Sequence, residues 1–284
     1  MRTDFEDDLL AFVQTELKKM HVEVSSRDVT ECALLFLKLQ RRSPVPVPRR
    51  TERSDVFSVP PNLQSGFDDL CLAILEGRPL FPYLSRSTLC ANKSDGLLDD
   101  WGILHFHLGS ELLANGLVKG TQVVAFGLVH HDCVYFLDTQ PHGSGHSDVW
   151  VREELIHIVE KNWPTLLPSN GRTLTPDTLT TEQRADCRRK SVNVTVTKQS
   201  GEVIFPPGGG VMCDGTAIND FMQLQKIYAQ FDWARKMCER REQWICDTVG
   251  IGSKDFRVHI GFASSQLYLY EKNSGVRIEF ANLK

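Results

Sequence analysis

The sequence predicts an α+β protein, with an N-terminal helical hairpin and a main domain built on an antiparallel β-sheet packed with helices. Three observations carry this expectation. Apolar residues recur at helical spacing near both ends of the chain. A central stretch beginning at Trp101 switches to period-two alternation. Within that stretch a short polar turn separates two apolar runs, the pattern of a hairpin.

Residues 3–20 form the first helix, because Phe5, Leu9, Leu10, Phe12, Val13 and Leu17 fall on one helical stripe. Acids fill its first turn and Lys18-Lys19 its last, as the helix dipole prefers. A second helix follows from Ser26 to Gln40, capped by Ser26 or Asp28, with Cys32, Leu35, Phe36 and Leu39 on its stripe. This hairpin, 1–40, cannot bury both its faces alone and needs the main body or a partner. Residues 41–61 change character. Pro44, Pro46 and Pro48 alternate, flanked by Arg41, Arg42, Arg49, Arg50 and Arg53. Proline at every second position blocks a helix and favours an extended strap, a stiff linker in the simplest reading, with an arm for phosphates as its functional alternative.

The main domain, 62–284, opens with a helix over Gln64–Glu76. Residues 78–100 are loop-rich. Strands follow at 101–108, 123–129 and 133–138, with His130-His131-Asp132 as the turn between the last two. A helix over 151–163 ends at Pro164. The polar stretch 168–190 carries Arg184, Arg188, Arg189 and Lys190, a solvated helix face or a nucleic-acid contact. Short strands at 192–196 and 202–205 precede Pro206-Pro207-Gly208-Gly209-Gly210. That run is a wide turn or, alternatively, a phosphate cradle, but it lacks the G-K-[ST] ending of a P-loop. A long helix spans 217–248, and strands at 256–262, 266–270 and 276–280 close the chain.

Composition narrows the function classes. The chain has 284 residues, 41% of them hydrophobic and 24% charged, as in ordinary globular proteins. No stretch approaches the ~20 apolar residues of a membrane span. The net charge of −4 excludes a whole-surface polycation. The acidic N-terminus does not read as a signal peptide, and the eight scattered cysteines form no C-x-x-C. A reducing cytoplasm is the expected compartment.

Six of the nine histidines lie between 105 and 146, far more than even scatter would place there. His105 and His107 share one face of a strand, about 6.6 Å apart along it. If residues 109–120 return the chain antiparallel, His107 approaches the loop holding His142 and His146, with Asp138, Tyr135 and Asp148 nearby. If the connection is a parallel crossover, that convergence fails. Such a cluster suits general acid–base catalysis near neutral pH. It also suits a transition metal such as Zn, held by His105, His107, His142, His146 and Asp138. The bland alternatives are a hairpin turn for His130 and His131, and hydrogen-bonded sheet or loop residues for the other four.

The layout of the central strands and the His-bearing loop is similar to that of small endoribonuclease toxins of the RelE-like class, whose helices precede a compact antiparallel sheet. The resemblance is one of layout, implies RNA cleavage, and transfers no residue. The favoured expectation is therefore a phosphodiesterase acting on RNA without a cofactor. His105 and His107 form its acid–base pair, His142 or His146 completes the site, and Arg86 or Lys93 supplies positive charge. The second expectation is a metal-dependent hydrolase using the same histidines. The third is a non-catalytic adaptor that binds a protein partner, or a second copy, through 1–40 and 217–248.

Overall fold

The computed structural model describes all residues except 1, 21, 23, 86–94, 144, 147–150, 152, 169–174, 176–177, 251–256, 264–265 and 279–284. Its helices are α1 (Phe5–Lys19), α2 (Val29–Arg42), α3 (Gln64–Glu76), α4 (Gly96–Trp101), α5 (Glu154–Asn162), α6 (Thr181–Arg189), α7 (Ile218–Arg240) and α8 (Glu242–Val249). Its strands are β1 (Arg50–Arg53), β2 (Ile103–His107), β3 (Val123–Val129), β4 (Cys133–Pro141), β5 (Val196–Thr197), β6 (Val203–Ile204), β7 (His259–Ala263), β8 (Gln266–Tyr270) and β9 (Arg277–Ile278). The fold is α+β with an N-terminal helical pair, as the periodicities predict. Among the described residues no helix is long and apolar enough to cross a membrane. The chain divides into two compact units, one of Met1–Leu37 with Asp220–Lys284 and one of Lys38–Asn219. This division differs from the one expected at 40 and 61.

In the first unit α1 buries Phe5, Leu9 and Val13 against Leu224, Phe231 and Ala234 of α7 and Ile260 and Leu269 of the strands. The apolar stripe of the hairpin thus finds its cover within the same chain. Asp28 caps α2 by accepting the Glu31 N–H at 2.9 Å, satisfying a donor that the first helical turn leaves free. The helix expected over 217–248 is two helices, broken at Arg241. Strands β7, β8 and β9 form an antiparallel meander.

The second unit is built on a four-stranded sheet in the order β1-β4-β3-β2. Neighbours β2, β3 and β4 pair antiparallel, whereas β1 joins β4 in parallel. One face packs Leu104, Phe106 and Phe136 against Phe67, Leu70 and Ile74 of α3. The other packs Val124, Phe126 and Tyr135 against Leu155, Ile156 and Val159 of α5. With both faces covered, every residue of β2 is buried, including its two histidines. Gly66 is what lets α3 approach so closely: a Cβ there would lie 2.0 Å from the Leu108 carbonyl oxygen.

Strand β1 comes from the proline–arginine segment expected to be a linker. Alternate prolines leave carbonyls with no N–H groups beside them, and Arg49 supplies the donors. Its guanidinium bonds the carbonyl oxygens of Val45 (2.9 Å), Val47 (3.2 Å) and His130 (2.7 Å), and burial lowers its pKa. Arg53 lies over the Phe67 ring, 4.7 Å from its centroid, and Arg41 pairs with buried Asp99 at 2.7 Å. These arginines are taken up by the protein's own groups.

The basic residues of and just after α6 are also paired with the protein's own groups, with Arg189 and Lys190 on the solvated side. Arg184 is buried against Glu153 (2.9 Å) and the Thr195 carbonyl (2.8 Å), Arg188 pairs with Asp100, and Arg189 and Lys190 both pair with Asp186. Pro206–Gly210 forms a turn whose Gly208 N–H bonds the Asp100 carbonyl at 2.9 Å.

Candidate active site

The residues 109–120 return the chain antiparallel, the condition on which convergence of the histidines depends. Directly paired residues on antiparallel strands share a face. His105 pairs with Phe126 and Phe126 with Asp138; His107 pairs with Val124 and Val124 with Gln140. Both histidines therefore lie on the α5 face of the sheet, in rows that end at Asp138 and Gln140.

A β-bulge in β4 brings His142 to the same side. Gly127 pairs with Phe136 and Phe126 with Asp138, so Leu137 is an extra residue in β4. Before the bulge Cys133 and Tyr135 carry the α5 face. Without it the odd positions would continue there. The extra residue hands that face to Asp138 and Gln140, and the chain leaves the strand with His142 directed towards it.

The result is a trio of imidazoles. Ring centroids lie 6.2 Å apart for His105 and His107, 5.9 Å for His105 and His142, and 5.0 Å for His107 and His142. His105 and His107 are buried and His142 is half-buried, so the trio opens to solvent on the His142 side.

Two adjacent residues set the tautomers. The backbone N–H of Thr121 donates to His107 Nδ1 at 2.9 Å. That nitrogen must present its lone pair, so the ring hydrogen of His107 sits on Nε2. The carbonyl of Gln122 accepts from the His142 backbone N–H at 2.9 Å and faces His142 Nδ1 at 3.0 Å. A carbonyl only accepts, so His142 carries its hydrogen on Nδ1 and keeps a lone pair on Nε2. One ring offers a donor and its neighbour an acceptor.

Burial, reinforced by His142, pushes the His105 pKa down to about 4, so this ring is neutral at physiological pH. Its Nδ1 lies 4.0 Å from the carboxylate of Asp95. Burial raises the Asp95 pKa, opposed by the Leu98 N–H and by the charges of Arg42, Arg188 and Arg41.

The remaining expected residues fall elsewhere. Asp138 shares the face of His105 but lies two strands away, about 10 Å, and its carboxylate takes the Thr139 N–H (2.8 Å) and the Gln140 side-chain N–H (2.9 Å). His146 is half-buried and its N–H bonds the Gly143 carbonyl at 3.0 Å; among the described residues no ring contact joins it to the trio. Arg86, Lys93 and Asp148 lie outside the described residues. His130 and His131 occupy the hairpin turn, with the His130 ring 5.5 Å from Tyr135.

Among the described residues the donor set shows no metal-binding arrangement. The lone pair of His107 is already bonded to Thr121, and among the described residues no group of three His, Cys, Asp or Glu side chains is arranged to hold a metal ion. Thr121, Gln122 and Asp95, which orient or face the trio, have no signature in the spacing of the sequence.

Compared with protein-family models, with curated proteins and with solved structures, the chain matches none.

Proposed function

We propose that the protein is an endoribonuclease-like phosphodiesterase that cleaves RNA without a metal, through attack of the 2′-hydroxyl on the adjacent phosphate. The observation that carries this reading is the opposed tautomer pair of His107 and His142, held by neighbouring backbone groups. His142 Nε2 takes the 2′-hydroxyl proton as general base, its other nitrogen anchored to Gln122. His107 Nε2–H donates to a phosphate oxygen, whose charge rises as the O2′–P bond forms. The P–O5′ bond breaks, and the departing 5′-oxygen takes its proton from solvent at the open side of the site. A 2′,3′-cyclic phosphate and a free 5′-hydroxyl result.

This assignment replaces the expected pair of His105 and His107 with one of His107 and His142. A ring with a pKa of about 4 is a weak proton acceptor and is not an imidazolium near pH 7, so His105 serves as a neutral wall that keeps the pocket polar without charge. The metal-dependent alternative is disfavoured by the occupied lone pair of His107. The adaptor alternative loses support because the apolar stripes of α1, α2 and α7 cover one another.

The test is incubation of the full chain with a labelled single-stranded oligoribonucleotide in excess chelator, beside the same sequence as DNA. Cleavage of the RNA alone, ending in a cyclic phosphate, is the expected result. Cleavage that needs added metal, or that proceeds equally on DNA, would overturn it.

A further inference from the structure

Resting on the function proposed above, we infer that Thr121 is a positioning residue whose hydroxyl fixes His107 as a hydrogen-bond donor. Three bonds meet at this residue. Its Oγ1 accepts the Leu108 N–H at 3.2 Å and donates to the Val123 carbonyl at 2.6 Å, while its own N–H donates to His107 Nδ1 at 2.9 Å. Leu108 is the first residue after β2, and Val123 the first of β3. The hydroxyl therefore straps together the two strand ends beside the histidine and aims the Thr121 peptide at its ring.

The connection between these strands has little slack nearby, since a Cβ on Gly109 would lie 2.2 Å from the Lys119 carbonyl oxygen. Without the hydroxyl the Leu108 N–H loses its acceptor, and the Thr121 peptide is free to turn away from His107. The ring then loses the bond that holds its hydrogen on Nε2, and in the Nδ1–H form its Nε2 becomes an acceptor that repels a phosphate oxygen. His142 escapes this change because its backbone N–H and its Nδ1–H both donate to the Gln122 carbonyl, which does not depend on the Thr121 hydroxyl. Thr121 thus acts on one ring of the pair and leaves the other in place.

The test uses the ¹⁵N-labelled full chain, in which long-range ¹H–¹⁵N correlations report the tautomer of each imidazole, with cleavage of a fluorescein-labelled oligoribonucleotide in EDTA measured alongside. In wild type and in Thr121→Ser, which keeps the hydroxyl, His107 should show a single Nε2–H form. In Thr121→Val that form should give way to a mixture while His142 stays unchanged. The value of kcat should fall about tenfold with KM within about twofold, the pattern of an interaction made in the transition state. A single Nε2–H form in Thr121→Val overturns the proposal, as does an Nδ1–H form of His107 in wild type. If Thr121→Val fails to fold, the wild-type and Thr121→Ser spectra decide the matter by that second criterion. If no variant cleaves RNA, the proposed function falls while the tautomers still decide the role of Thr121.

Discussion

The protein holds two well-shielded histidine environments of opposite character. In the unit of Lys38–Asn219, His105 sits among other imidazoles with the Asp95 carboxylate 4.0 Å off, and burial strips it of charge. In the unit of Met1–Leu37 and Asp220–Lys284, His259 meets the Asp8 carboxylate through Nδ1 at 2.7 Å and stacks on Tyr270 with centroids 5.3 Å apart. Asp8 also accepts the Ile260 N–H at 2.8 Å, which ties the first turn of α1 to β7. Its neighbours are spoken for in the same way: Glu6 pairs with Arg235, and Asp4 and Asp7 with Arg257 at 3.2 and 3.5 Å. One histidine is neutralised by its surroundings and the other is hydrogen-bonded to a carboxylate. Groups that do chemistry tend to sit where the surroundings perturb them, and groups that hold a fold together sit where their partners satisfy them. On the proposed function, the contrast sets the trio apart as the site and His259 as part of the fold.

Four measurements break or sharpen that contrast. The largest effect belongs to His142→Ala, which removes the base and should lower the rate of RNA cleavage by roughly a hundredfold or more. His259→Ala should leave the rate per folded molecule unchanged, and equal losses in the two variants would erase the distinction.

Next comes acid unfolding. His105 is neutral in the folded chain down to about pH 4 but takes up a proton near pH 6.5 once unfolded. The unfolded state binds more protons throughout that window, so stability falls as pH drops from 6.5 towards 4. The loss amounts to about 3 kcal/mol from this ring alone. His105→Phe should flatten that part of the stability–pH curve, and an unaltered slope would mean that His105 is not the group responsible.

Asp8→Ala is a smaller perturbation. It strands the Ile260 N–H and the His259 ring, and a cost of about 1–3 kcal/mol in denaturant unfolding is expected, with cleavage by the folded fraction unchanged. The smallest effect is that of Lys119→Ala, which removes an exposed pair with Glu111 at 3.2 Å beside the β2–β3 connection. It should change stability by less than about 1 kcal/mol. A larger loss would show that this connection depends on more than the Thr121 strap.

Much of this architecture was legible in the sequence, and for identifiable reasons. Helix α3 follows from Phe67, Leu70 and Ile74, and β2 to β4 from alternation and a polar turn, because local periodicity reports which face a residue buries. Strand β1 was not legible. Its prolines speak against regular structure, and only a distant edge of β4 and the carbonyl bonds made by Arg49 turn the segment into a strand. The two-residue spacing of His105 and His107 gave their shared face, but the arrival of His142 depends on the bulge at Leu137, which leaves no mark in a sequence of ordinary strand residues. The tautomers were out of reach as well. They come from backbone groups of Thr121 and Gln122, and every residue but proline carries both a donor and an acceptor there.

The most direct measurement is the imidazole ¹⁵N spectrum of the unmodified chain near pH 7. Hydrogen on Nε2 of His107 and on Nδ1 of His142, with His105 uncharged, is the predicted result. The same tautomer on His107 and His142, or a positive charge on His105, would contradict a donor–acceptor pair built by one loop.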